Sequence, residues 1–313
     1  MTPAAHALLV LVGALALDTV AGEPPDALHP VVWMGRFYGW LRRRAPSGKS
    51  PAAAFAYGCL MALAGPLVFG GAAWAVGAAL TPLLLLRIVV EIYLLKSALS
   101  VRMLGQAAIA VARALADGDA TAARFGLRSL VSRDTALLDE PLMAAAAVES
   151  VAENASDSLV APLCFFIVAG VPGAIAYRAC NTLDSMIGYH GDTEWLGKAA
   201  ARLDDAANLV PARVTAALFV AASAIVGASA AGALRIWWRD AARTESPNAG
   251  RPMAAMAGAL GVSLEKIGCY RLGDAVAPVG ADTIDRAVSM LYVASALGAI
   301  ACAAGAWWMR AHG

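Results

Sequence analysis

The sequence predicts an all-α, polytopic integral membrane protein with about 4–6 membrane-inserted helices and, between them, cytoplasmic amphipathic helices. Three observations predict it. Hydrophobic residues make up 60% of the 313-residue chain, against roughly 45–50% in soluble domains. Its mean hydropathy is +0.64. The apolar residues also gather in runs near the roughly 20 residues that a helix needs to cross a bilayer, with polar blocks between them. Lipid is the environment that such a surface fits.

Taken in order, the first run is residues 4–21. Its opening has the length of a signal-peptide core, but no Lys or Arg precedes Arg36, so it reads as a retained helix. The second run, 52–95, is long enough for two spans, and Gly70, Gly71, Gly77 and Pro82 offer places for a hairpin turn. Runs 159–176, 214–238 and 287–309 follow. Segment 22–51 carries Arg36, Arg42, Arg43, Arg44 and Lys49 against Glu23 and Asp26, which the positive-inside rule places in the cytoplasm. Two crossings later, segment 96–157 agrees, with Lys96, Arg102, Arg113, Arg124, Arg128 and Arg133. Within it a helix over 97–116 ends at "DGD", and a second covers 120–131. Asp139 then caps a long Ala-rich helix, with Pro141 in its first turn.

A single run separates the charged segments 177–213 and 235–285. Either one of them lies on the far side, or 159–176 is a broken or re-entrant element, interrupted by Pro162, Gly170, Pro172 and Gly173. No fixed-period repeat divides the chain, and it reads as one domain, 1–313. The balance of 24 basic and 23 acidic residues gives no basic stripe, so nucleic acid is not an expected partner. The five cysteines are scattered, mostly in apolar runs and without a CxxC pair, and read as small core residues.

Polar residues concentrate in 149–213. Glu149, Glu153 and Asp157 stand at i, i+4 and i+8, one face of a helix, where like charges repel. Such an array is either a solvated helix face or is neutralised by a divalent cation or by arginines from elsewhere. "AYRACNTLDSMIGYH" follows, with Arg178, Asn181, Asp184 and Tyr189. "GKAAARLDDAANLVPARV" then gives Asp204, Asp205 and Asn208, flanked by Lys198, Arg202 and Arg213. Carboxylates that hold a metal, beside cations that neutralise phosphate, are what a magnesium-bound polyphosphate requires. In a chain with 15% charged residues, these clusters predict a membrane-associated active site. The usual Gly-rich nucleotide loops, the G-x-S-x-G elbow and the H-E-x-x-H zinc motif are absent.

Other polar and aromatic residues have simpler readings. His29 is first a hydrogen-bonded structural histidine and second a site residue. Trp33, Tyr38 and Trp40, like the pairs Trp237–Trp238 and Trp307–Trp308, read as interfacial anchors. Ser246 and Asn248 in "ESPNAGRPMAAMAGALGV" read first as a helix N-cap and second as a ligand loop.

In this order "LDTVAGEPPDALHPVVWMGR", "SRDTALLDE", "AVESVAENASDSLVAPL", "YRACNTLDSMIGY", "ARLDDAANLVPAR" and "SPNAGRPMAAMAGALGV" make the chain resemble the CobD/CbiB family of membrane-bound adenosylcobinamide-phosphate synthases, over nearly its whole length. Two places depart from that pattern. "SLEKIGCYRLGD" keeps Tyr270 but lacks the family's glycine-rich entry, and Gly22, Glu23 and Pro24 stand where the family has Gly-Asp-Pro.

The resemblance implies an ATP-dependent amide ligase of cobalamin biosynthesis, working through an acyl phosphate. It joins adenosylcobyric acid to (R)-1-amino-2-propanol O-phosphate. ATP is then a co-substrate, Mg2+ a cofactor and the corrinoid a bound substrate. On this reading Glu153, Asp157, Asp184 and Asp205 are catalytic, and Glu149, Glu153, Asp157, Asp204 and Asp205 hold metal. His29, Arg133, Asp134, Asn154, Arg178, Asn181, Lys198, Arg202, Asn208, Arg213 and Asn248 bind substrate or nucleotide. The expected location is the inner (cytoplasmic) membrane, multi-pass and in contact with lipid, with the site facing the cytoplasm. The resemblance leaves room for contact with other corrinoid-pathway membrane enzymes. Rival readings are an intramembrane transferase acting on a diphosphate, whose repeated D-x-x-x-D spacing is lacking here, and a transporter or scaffold.

Overall fold

The computed structural model describes residues 1–46, 50–188 and 194–312; Lys49 and Tyr189 lie outside the described residues. The helices in chain order are α1 (Pro3–Ala21), α2 (Pro30–Arg42), α3 (Pro51–Gly65), α4 (Gly71–Ala79), α5 (Leu84–Ala98), α6 (Val101–Ala116), α7 (Ala120–Leu127), α8 (Glu140–Ala155), α9 (Ala161–Ile187), α10 (Glu194–Ile225), α11 (Ala230–Asp240), α12 (Gly250–Leu260) and α13 (Ala281–His312). Single π turns, Pro66–Gly70 and Ser156–Val160, join α3 to α4 and α8 to α9. An antiparallel hairpin, β1 (Leu264–Lys266) and β2 (Tyr270–Leu272), pairs Glu265 with Arg271 at its centre. Among the described residues, five helical stretches are long and apolar enough to cross a membrane: Pro3–Ala21, Pro51–Ala79, Glu140–Ile187, Glu194–Ile225 and Ala281–Ala311. The protein is thus an all-α polytopic membrane protein, as its composition predicts.

The chain forms two compact units, each from separate segments. The first holds residues 1–100, 161–207 and 301–313; the second holds 101–160 and 208–300. In the first unit, α1 lies on α5, and α9 packs on α2, α3 and α5. In the second, α6 packs on α7 and α8, and α12 packs on α8 and α11. Ten residues of α12 and the whole stretch from Met143 to Ala152 are buried.

Local signals set most helix ends. Asp119 and Asp139 cap α7 and α8 by accepting from Ala122 N and Leu142 N at 2.9 Å each, the bond that an N-cap carboxylate makes to an otherwise orphan donor. Gly118 takes φ 72° in the "DGD" turn, a conformation that glycine adopts without strain. The helix expected over 120–131 stops at Leu127, where Ser129 Oγ donates to Gly126 O at 2.7 Å and the chain turns. The N-cap expected from Ser246 or Asn248 is shared differently: α12 begins after Ala249, and Ser246 Oγ accepts from Asn248 N while Thr244 Oγ1 accepts from Gly250 N.

The turn of the second run falls at 80–83, at Pro82, one of the places that the sequence offers for it, while Gly70 and Gly71 stay helical. Gly70 instead allows close packing, since a Cβ there would stand 2.9 Å from Ala176 Cβ. Tyr38 is not an interfacial anchor: it is fully buried and donates to Ala179 O at 3.1 Å, lying over Gly65. Trp33 and Trp40 are exposed. Asp157 stands in the π turn Ser156–Val160, where the helix is wider than the 3.6 residues per turn that the spacing assumes.

Residues 159–176 are broken, one of the two readings left open. Ala169 (φ −130°, ψ 16°) and Gly170 (φ 65°, ψ −156°) leave the helix. Twelve residues of straight helix would separate Phe165 from Tyr177 by about 18 Å, yet their rings stack with centroids 5.1 Å apart. The two arms of α9 therefore fold back on each other. Gly173 permits the approach, because a Cβ there would stand 2.6 Å from Phe165 O. Gly173→Ala is accordingly expected to lower the melting temperature in detergent. Gly71→Ala, where a Cβ meets nothing within 4 Å, should be neutral or stabilising by about 0.5–1 kcal/mol. Equal melting of the two variants would show that the arms are not packed this closely.

Candidate functional site

Each unit carries one of the polar clusters. In the second unit the organising group is Glu149, which α8 places among alanines and valines at 5% exposure. A carboxylate there must be paired or neutral. Arg133, in the loop before α8, supplies the partner, with Nη2 2.8 Å from Glu149 Oε2. Of the two neutralising devices that the sequence allows, the structure uses arginine at this position. Lys266 and Tyr270, from the hairpin, also act on the carboxylate. Burial, then the charges of Glu149 and Glu153, push the Tyr270 phenol well above its ordinary value, so it stays a protonated donor. Asn154 Nδ2 donates to Ser150 O at 2.9 Å and to Ser150 Oγ at 3.0 Å, and Ser150 Oγ donates to Leu130 O at 2.7 Å. Glu153 is exposed, Asp157 half-buried, and Asn208 and Asn248 buried. Glu149 Oε1 and the hydroxyls of Ser156 and Ser158 are buried without a hydrogen-bond partner among the described residues, a capacity that a polar ligand would satisfy.

Other residues proposed from the sequence have local roles here. Asp134 is exposed and accepts from Ala136 N at 2.9 Å, closing its own turn. Arg213 Nη1 donates to Leu209 O at 2.5 Å. Arg213 also adds to burial in holding the Arg251 guanidinium below its ordinary value.

In the first unit, the second arm of α9 and the start of α10 bring together the remaining carboxylates. Asp204 and Asp205 stand close enough to Asp184 to repel its charge. Asn181 links the two helices: its Oδ1 accepts from Arg178 Nη1 at 3.3 Å, and its Nδ2 donates to Asp204 Oδ1 at 3.4 Å. Lys198 lies over the Trp195 ring, 4.4 Å from its centroid, and Arg202 is exposed. Among the described residues, no three His, Cys, Asp or Glu side chains converge as a metal group.

A third cluster escaped the sequence reading. Lys96 is 1% exposed, with Nζ 3.3 Å from Asp18 Oδ1 and 2.7 Å from Glu23 Oε2. His29 belongs to this network through both ring nitrogens: Nε2 lies 3.1 Å from Glu23 Oε2, and Nδ1 accepts from Val31 N at 3.2 Å, capping α2. The available signal was Asp18 itself, an acid within an apolar span. Burial pushes the Glu23 carboxyl up, but His29 and Lys96 outweigh it and hold it below the ordinary value of 4.5. A depressed carboxylate contributes stability that is complete above its unfolded pKa and is lost as pH falls through the folded one. Wild type should thus melt above Glu23→Gln at pH 7, with the gap closing below about pH 4.5. A gap that stays constant down to pH 3.5 would remove the network from the stability account.

The CobD/Cbib protein family model matches residues 11–292. "Cobalamin biosynthesis protein CobD" of Dehalococcoides mccartyi (strain CBDB1) is 45% identical over 91% of this chain and 92% of its own. The protein of the same name from Klebsiella pneumoniae subsp. pneumoniae is 39% identical over 93% and 94%. "Cobalamin biosynthesis protein CbiB" of Salmonella choleraesuis is 36% identical over 91% and 92%. No solved structure matches the chain. With a family model spanning most of its length and relatives matched nearly end to end, the chain belongs to the CobD/CbiB family.

Proposed function

We propose that the protein is an adenosylcobinamide-phosphate synthase, an ATP-dependent amide ligase of cobalamin biosynthesis in the cytoplasmic membrane. The observation that carries the reading is the near end-to-end match to relatives named for cobalamin biosynthesis. The acidic and amide residues clustered on α8, α9 and α10 support it, in a chain otherwise built for lipid. The excess of Arg and Lys over Glu23 and Asp26 in 22–51 supports a cytoplasmic side for that segment.

The chemistry follows from the bond to be made. A carboxylate does not react with an amine at neutral pH, because hydroxide is too poor a leaving group. Transfer of the γ-phosphoryl of ATP to the free propionate of adenosylcobyric acid gives an acyl phosphate and ADP. The amine of aminopropanol phosphate then attacks the acyl carbon, phosphate leaves, and the ammonium proton passes to a base. The burden on the protein is to position three anionic reactants and to spread the charge of the moving phosphoryl group. Arg133, Arg178, Lys198, Arg202 and Arg213 are the cations offered for that task, and Asn154, Asn181, Asn208 and Asn248 the neutral donors.

Mg2+ fits the acidic residues in a restricted way. It takes one or two carboxylates and completes its shell with phosphate oxygens and water. Among Asp184, Asp204 and Asp205, mutual repulsion favours such a cation. Glu149, already bound to Arg133, is a weaker candidate than Glu153, Asp157, Asp204 or Asp205. When bound, the ion would neutralise charge on the transferred phosphoryl.

The reading predicts ADP release that needs both co-substrates. With purified protein in detergent, omitting either adenosylcobyric acid or aminopropanol phosphate should reduce ADP formation to background. ADP release independent of both would contradict the ligase. A melting temperature raised by isoprenyl diphosphate and not by corrinoid would favour the transferase.

A further inference from the structure

The first unit holds a second polar site, a cavity of about 670 Å3 that the proposed reaction does not use. It lies where three spans end: it is lined by Pro3 at the start of the first, Thr81 just beyond the second, and Arg310 near the close of the last. Exposed Trp307 and Trp308 stand beside Arg310 in sequence, the residue type that settles at headgroup depth. The side chains of the cavity that can carry charge are His6, Arg87, Glu91 and Arg310. Glu91 engages two of them, His6 Nε2 at 2.5 Å and Arg87 Nε at 2.7 Å.

Arg310 is the charge left over. Its Nη2 donates to Phe166 O at 3.0 Å, just ahead of the break in α9, and its guanidinium lies 5.2 Å from the Phe166 ring centroid. Among the described residues no carboxylate lies within 4 Å of it, whereas the charge of Arg87 is matched by Glu91. A guanidinium with no carboxylate at ion-pair distance, Glu91 acting on it only from farther off, is costly beside apolar walls such as Val10, Trp74 and Ile167, and an anion relieves the cost. With His6 neutral, the lining side chains carry one net positive charge, which matches one phosphodiester. The volume lies in the range of ligand pockets, about 300–1,000 Å3, and the depth is that of the lipid headgroups.

We propose that this cavity seats the headgroup of an anionic phospholipid, its phosphate clasped by Arg310 and the outer nitrogens of Arg87, its acyl chains leaving over the apolar wall. A zwitterionic lipid would bring an ammonium that cancels the gain. The proposal does not depend on the catalytic reading.

Native mass spectrometry of delipidated protein, given phosphatidylglycerol and phosphatidylcholine of identical chains, tests it. Phosphatidylglycerol should be retained at least about fivefold better, the scale of one basic residue at an anionic membrane surface. Arg87→Gln with Arg310→Gln should bring the two lipids to equal retention, while Arg310→Lys should keep the preference. Arg87→Gln alone leaves the bond from Arg310 to Phe166 O in place and should still weaken the preference, a check that holds if the double variant does not fold. Equal retention by the wild type, an unchanged preference in the double variant, or the same stabilisation by inorganic phosphate as by lipid would overturn the proposal.

Discussion

Arg133→Ala should cost about 3–5 kcal/mol of stability, the usual consequence of removing one partner from a buried ion pair. The cost is that of leaving Glu149 charged, at 5% exposure, with no guanidinium 2.8 Å away. Protonation of Glu149 limits the damage but still leaves two carboxyl oxygens in an alanine-rich interior, one of them without a partner already. The double variant Arg133→Ala with Glu149→Gln removes the stranded charge, so it should recover part of the loss. Thermal melting in detergent checks both. A single variant that melts like wild type would show that Arg133 is not the group that neutralises Glu149, and would reopen the metal alternative there.

The second large effect is on turnover. Glu153→Gln and Asp205→Asn remove one charge each from side chains that are exposed and half-buried respectively, so folding should be spared. Changing a residue that only supports a metal ligand costs about 10–100-fold; a direct ligand or phosphate-orienting group should cost at least that. Each variant should therefore form the amide at no more than about a tenth of the wild-type rate, with an unchanged melting temperature. Wild-type rates in both would remove Glu153 and Asp205 from the metal and nucleotide shell. Loss in one alone would assign that role to the unit that carries it.

What the sequence made legible was set by local chemistry. The N-cap at Asp139 and the turn at "DGD" need only a few neighbouring residues, and each formed as read. The membrane class followed from composition because lipid exposure demands apolar surface over whole helices. The break at Gly170 was visible as one of two options, because Gly and Pro mark where a helix can stop without saying how far the chain turns.

Other features depended on partners distant in the chain. Lipid and protein interior are equally apolar, so Tyr38 could be placed at the membrane surface when it lies in the core against Ala179. Helical spacing put Glu149, Glu153 and Asp157 on one face because it assumed 3.6 residues per turn, and it gave no sign of the π turn in which Asp157 stands. Spacing left open whether Glu149 is solvated or neutralised, and could not show that Arg133, sixteen residues earlier, would pair with it. Lys96 looked like a cytoplasmic charge in a basic segment; its burial against Asp18 and Glu23 joins residues more than seventy positions apart.

The most direct test of the central claim is the mass of the corrinoid after reaction. Purified protein in detergent is incubated with adenosylcobyric acid, aminopropanol phosphate and Mg-ATP, and the product mass and ADP are quantified together. The ligase reading predicts adenosylcobinamide phosphate and ADP in equal amounts. Folded protein that binds the corrinoid yet forms neither amide nor ADP would contradict it.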